Sequence, residues 1–263
     1  MPEPHPVKPE AFSSAISKVK WADQHIANLE KMLATMHETA PNAFFAKNHD
    51  EGEGLVNVSF DFGHFIKFMP ILRGMTGDAV HNLKSAFDHV AYGIVSIFET
   101  PDQNLTFPIN ADLKTLLGRT NFGTIKRLVP DIADVIINDV KPYGAGNPLV
   151  GLNHLDRADK HRLLLVHTAS LQTRVYMAKD DEDVPEATAN DFILIANPTG
   201  VPKPGSRAAA HNERYRHAAF DIKFDAGLPF ENEPVLPTLK QLSKLTAGAI
   251  NILTTYLFGQ NSI

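Results

Sequence analysis

The sequence predicts an α+β fold: a helical bundle of four main helices with a small antiparallel sheet packed on it. Three observations carry this. Near 11–37, 77–99, 149–164 and 237–258 the apolar residues recur at steps of three and four, the spacing of one helical face. Near 55–62, 165–177 and 219–225 apolar and polar residues alternate, the pattern of a half-buried strand. With 263 residues, 43% of them hydrophobic, the chain has enough apolar material for a sizeable core. The organisation expected is a single domain over 1–263, with a helical core of 11–164 and 237–258 and a mainly β insertion at about 165–225.

In chain order, residues 1–9 are rich in proline and read as loose. Phe12, Ile16, Val19, Ile26, Leu29, Leu33 and Met36 then form one stripe, with Trp21 beside it. Val56, Val58, Phe60 and Phe62 alternate with Asn57, Ser59 and Asp61. The next helix is expected to begin near Gly77, where Asp78 complements the helix dipole, and to end before Pro101. Phe107 precedes a proline, so 107–110 reads as extended. Two or three short helices fill 111–141, one opened by Pro130, and KPYGAGNP at 141–148 is a loop. After the 149–164 helix come the strand patterns at 165–177, 192–196 and 219–225. Pro237 opens the last helix, striped by Leu239, Leu242, Leu245, Ala249, Ile252 and Tyr256.

The formal net charge of −5 argues against a surface built to coat duplex DNA. The absence of cysteine excludes disulfides, thiol catalysis and Cys-ligated metal. No stretch has the apolar length of a membrane span, and the first residues lack the pattern of a signal peptide. A cytoplasmic protein with no membrane partner is the expectation.

The chemistry concentrates in GDAVHNLKSAFDHVAYGIVSI, 77–97. Asp78, His81, Asn82, Ser85, Asp88, His89 and Tyr92 fall within an arc of about 120° on a helix, while Val80, Leu83, Phe87, Val90, Ala91 and Ile94 take most of the remainder. A merely solvated face is usually Lys and Glu, so this stripe reads as a site. In the later helix, Asp156 and Asp159 interrupt the stripe of Leu149, Leu152 and Leu163. A buried carboxylate requires a cation, a metal or several donors. Four of the twelve histidines, His81, His89, His154 and His161, lie in these two helices.

The motifs HNLKSAFDH (81–89), FPI (107–109) and PLVGLNHLDRADKHRLL (148–164) resemble a widespread family of uncharacterised bacterial proteins. That family carries a G-D-x-x-H-N-L-R-S-A-L-D-H helix and a later D-K-H-R segment. The matching positions are Gly77, Asp78, His81, Asn82, Leu83, Ser85, Ala86, Asp88 and His89, then Asp159, Lys160, His161 and Arg162; Lys84 stands for the Arg and Phe87 for a Leu. The resemblance covers about residues 10–165. A fainter resemblance, to the helical HEPN ribonucleases, implies RNA cleavage, although Arg73 lies further from His81 than their tight Arg–His spacing.

Each candidate has a plainer alternative. His81 and His89 are acid–base groups or metal ligands, or else core histidines satisfied by Asp88 or a carbonyl. Asp88 is expected to orient one of them. Asp156 and Asp159 either bind a metal or form salt bridges to Lys160, Arg162 or Arg73. Lys160 and Arg162 neutralise a phosphate, or are solvated charges at a helix C-terminus. Ser85 lacks a nucleophile-elbow context and reads as a hydrogen-bonding residue.

The leading function is a small soluble hydrolase with a His/Asp site between two helices, cleaving phosphodiesters, RNA above all. Its catalytic residues are His81, Asp88, His89, Asp159 and His161, and its substrate-binding residues are Asn82, Ser85, Tyr92, Lys160 and Arg162. One alternative is a metal-dependent enzyme using the His/Asp cluster, with a divalent metal as cofactor. Another is a non-enzymatic binding module with a structural polar core. Candidate partners are RNA or a small-molecule substrate, and a second copy of the chain in a homodimer. The two helices are expected to pack together and bring Asp159 near His81 or His89.

Overall fold

The structure, a computed structural model, describes residues 10–39, 47–50, 56–59, 67–161, 166–168, 174–178, 184, 191–195, 205–210 and 222–259. Its helices are α1 (Glu10–Thr39), α2 (Met69–Ser96), α3 (Leu113–Leu117), α4 (Thr120–Leu128), α5 (Pro130–Val135), α6 (Pro148–His161) and α7 (Val235–Phe258). A π-helical turn, Ile136–Val140, continues α5, and Lys141 ends it in the left-handed region at φ 51°. The strands are β1 (Lys47–Asp50), β2 (Val56–Ser59), β3 (Val166–Thr168), β4 (Arg174–Ala178), β5 (Asp191–Ile195) and β6 (Ile222–Phe224).

The expected α+β architecture is overturned. The described structure is mostly helical, and its strands do not join one antiparallel sheet. They form three separate pairs, β1 with β2, β3 with β6, and β4 with β5. β1 and β2 are antiparallel, whereas β4 and β5 are parallel, with Arg174 opposite Asp191 and Ala178 opposite Ile195. Alternation reports that a segment has two unlike faces; it does not report the partner or the direction. The link from Ala178 to Asp191 has the length, about a dozen residues, that a parallel return requires. The expected strand at 165–177 is two strands, and Phe60 and Phe62 lie outside the described residues.

The chain divides into two compact units, one of residues 1–31, 70–165 and 224–263, the other of 32–69 and 166–223. Within the first, four helices form a ring of contacts. Phe12 of α1 meets Phe258 of α7 edge to face at 5.3 Å, and Asp23 and Glu30 of α1 accept bonds from Ser243 and Lys240 of α7. On its other side α1 reaches α2 through Lys18 and Asn82. α2 reaches α6 through His81 and Asp156. α6 packs on α7, which also receives α5 and its π-helical turn. Ala15, Val19, Ala22, Leu83, Phe87, Val90, Leu152, Leu155, Leu242 and Leu253 are buried in this unit.

α2 begins eight residues before the expected start at Gly77. Pro70 sits in its first turn, where a missing N–H costs nothing. Gly74 and Gly77 are therefore interior. Two glycines cost a helix about 1 kcal/mol each, which burial of Leu72, Ala79, Val80 and Leu83 outweighs.

Candidate functional site

α1 and α2 run antiparallel along the site, because Lys18 meets Asn82 while His25, two turns further along α1, lies 3.9 Å from Asp78, one turn back on α2. Ser14, Lys18, Trp21 and His25 share one face of α1 by their spacing. That face flanks the polar stripe of α2. α6 contributes Asp156, Asp159 and Lys160 to the same stripe, as the His81–Asp156 bond and the charges felt by Asp159 require.

The central contact joins His81 and Asp156. His81 Nδ1 lies 2.9 Å from Asp156 Oδ1, and Asp156 is only 3% exposed. The other carboxylate oxygen accepts Lys160 Nζ at 2.7 Å, so the buried charge is compensated. A carboxylate at Nδ1 places the proton there and leaves Nε2 as an acceptor. Ser85 Oγ lies 3.4 Å from that Nε2. Both groups are accessible, the His81 side chain being 46% exposed. Lys160, Asp156, His81 and Ser85 thus form one continuous polar line from α6 onto α2.

The carboxylate hydrogen-bonded to His81 is Asp156, while Asp159, expected near His81 or His89, lies close enough for the charge of His81 to act on it. A helix turns about 100° per residue, so three residues displace Asp159 by about 60° around α6. Burial, followed by the charges of Asp156 and Asp78, pushes the Asp159 carboxyl above its usual range, against the pull of His81 and Lys160. The sequence marks Asp156 as a buried acid in need of a cation, and Lys160 is that cation; nothing in the sequence distinguishes it from Asp159 as the bonded partner of His81.

Asp88 was expected to orient a histidine. It is instead bonded by Lys84, one turn earlier on α2, and by the backbone N–H of Phe107 at 2.9 Å. Lys84 is buried, so its ammonium needs this partner. The pair, with Phe87 and Phe107 rings at 5.1 Å, fastens the 101–110 segment onto α2.

That segment walls a cavity of ≈ 490 Å³ lined by Ser14, Asp88, His89, Tyr92, Ser96, Gln103 and Leu105. Burial and the charge of Lys18 lower the pKa of His89, against the opposing effect of Asp88. His89 lies two turns beyond His81, about 12 Å along the axis at 1.5 Å per residue. Asn82 accepts from Lys18 and donates to the Asp78 carbonyl. Tyr92 is exposed at the cavity. The side chain of His161 and all of Arg162 lie outside what is described. Lys18, Lys84 and Asp156 are the site residues absent from the expected catalytic and binding sets.

Among the described residues, no group of three or more His, Asp or Glu side chains is placed to hold a metal ion. Nor is any described helix long and apolar enough to cross a membrane. Comparison with protein-family models, curated proteins and solved structures found no match.

Proposed function

We propose that this protein is a hydrolase of phosphodiesters, RNA foremost, with His81 and Asp156 as its acid–base pair. The observation that carries the reading is the 2.9 Å bond from His81 Nδ1 to a buried carboxylate, on an imidazole whose side chain is 46% exposed and whose Nε2 lies 3.4 Å from Ser85 Oγ. A general base needs a fixed tautomer and an open acceptor, and this pair has both. Lys160 and Lys18 supply positive charge beside it for a developing anion. His89, about 12 Å from His81 along α2, is too distant to serve as the second acid on the same phosphate and is assigned to substrate contact in the cavity. The resemblance to an uncharacterised family and to HEPN ribonucleases remains part of this proposal.

The test is cleavage of a single-stranded RNA oligonucleotide and of bis(p-nitrophenyl) phosphate. His81→Ala and Asp156→Asn are expected to lose about 10²- to 10⁴-fold in rate while keeping the wild-type circular dichroism. Equal turnover in wild type and both variants, or none in the wild type, sinks the reading. In the latter case the polar stripe is the structural core of a non-enzymatic module.

A further inference from the structure

We infer that Ser85 is a nucleophile and that hydrolysis proceeds through a covalent serine intermediate; this rests on the hydrolase reading above. Hydroxyls inside helices ordinarily bond a carbonyl one turn back. Ser17, Thr76, Thr238, Thr246 and Thr254 of this chain all do so, to Ser13, Leu72, Pro234, Leu242 and Ile250. Ser85 instead turns its hydroxyl toward the imidazole one turn back, 3.4 Å from His81 Nε2. The imidazole is in turn held through Nδ1 by a buried carboxylate. Nucleophile, base and orienting acid therefore lie in the sequence of contacts that activates a serine. Helix geometry builds the first link, since i and i+4 share a face, and the α2–α6 contact builds the second.

The distance between the two histidines of α2 also favours this route. A direct displacement with separate acid and base calls for two groups on one phosphate, and His89 is about 12 Å away along the axis. A covalent route uses His81 twice. Ser85 Oγ bonds to phosphorus while its proton passes to His81 Nε2. The bond from phosphorus to the leaving alcohol breaks on the side opposite Oγ, and that oxygen takes its proton from a water there while His81 keeps the serine proton. The hydroxide left by that water attacks phosphorus from the same side, and Oγ departs and recovers its proton from His81. The products are an alcohol and a phosphomonoester. Lys18 is bonded to Asn82 and acts on the charge of His89, residues that flank Ser85 on the same face. It is the cation that neutralises the equatorial oxygens.

The experiment is to treat the full chain with a fluorophosphonate and read intact mass and peptide map. A single adduct on Ser85 is expected, absent in Ser85→Ala, unchanged in Ser17→Ala, and formed at least about tenfold more slowly in His81→Ala. An unlabelled Ser85 in folded wild type overturns the inference, and the wild-type map decides this even if a variant fails to fold. Turnover of bis(p-nitrophenyl) phosphate separates the two readings. Turnover that needs His81 but survives in Ser85→Ala overturns the nucleophile and leaves the hydrolase standing. Absence of both adduct and turnover overturns both.

Discussion

Lys84 and Asp88 close one turn of α2 on themselves, and the same Asp88 oxygen takes the Phe107 N–H at 2.9 Å. A buried ammonium, a half-buried carboxylate and a loop amide thereby share one point. Removing the carboxylate strands the ammonium of a lysine that is only 5% exposed. Asp88→Ala is expected to destabilise the first unit by about 3–5 kcal/mol, the cost of breaking a buried pair from one side. Replacing both, as Lys84→Met with Asp88→Leu, is expected to recover most of that loss. Urea denaturation of the three proteins checks this. A double variant no more stable than the single one contradicts the pairing.

Gly151 lies in α6 five residues before Asp156, and the ring of Phe230 lies against it. A Cβ built on Gly151 would sit 2.6 Å from the ring edge. Phe230 cannot retreat easily, because its backbone is in the left-handed region at φ 64° and its ring packs on Phe224 at 6.0 Å. Gly151→Ala is expected to cost about 1–3 kcal/mol as overpacking, although alanine favours helix elsewhere. If the backbone of α6 shifts to relieve the clash, Asp156 moves with it and turnover falls as well. Thermal unfolding that rises in Gly151→Ala would show that the ring yields freely.

How much of this was legible in the sequence follows from what periodicity encodes. The four main helices were readable because each must bury one stripe, and stripes repeat every three and four residues. Their ends were less so: Gly74 and Gly77 looked like a boundary, yet tertiary burial carries α2 through both. The strand pairs were not readable, since the direction of β4 against β5 depends on a return path that no local pattern records. At the site, the polar arc of α2 was visible as unlike a solvated face. The pairing of His81 with Asp156 was not, because two aspartates three residues apart differ only in how α6 is rotated against α2. Lys84 was hidden for a different reason: a lysine on a helix is ordinarily exposed, and only the Asp88 contact accounts for its burial.

His89 gives a pH dependence with a definite sign. Burial and Lys18 lower its pKa below 6.5 in the folded state. The unfolded chain then binds the proton more tightly, so folding is favoured by the neutral imidazole. The stability this contributes is complete above about pH 6.5 and is lost as pH falls through the lower folded value. His89→Gln is expected to flatten that part of the curve of melting temperature against pH. A wild type that grows more stable relative to His89→Gln between pH 6.5 and 5 would contradict the assignment.

Asp159 carries the opposite shift for a related reason. Burial is the largest cause, Asp156 and Asp78 add like charge, and His81 with Lys160 only partly compensate, so its pKa lies above 3.8. The folded state holds this proton more tightly than the unfolded chain does. The contribution is therefore stabilising below about pH 3.8 and is lost as pH rises through the folded value. At neutral pH the ionised carboxylate opposes folding. Asp159→Asn, which keeps the shape and removes the charge, is expected to raise the melting temperature at pH 7, with the advantage shrinking as the solution is acidified. Groups that hold such strain are commonly kept for activity. If Asp159 serves the reaction, the stabilised variant turns over more slowly; if it serves only the fold, turnover is unchanged. Parallel melting curves and rates at pH 7 and pH 4 read both, and an Asn variant less stable than wild type at pH 7 rules out the electrostatic account.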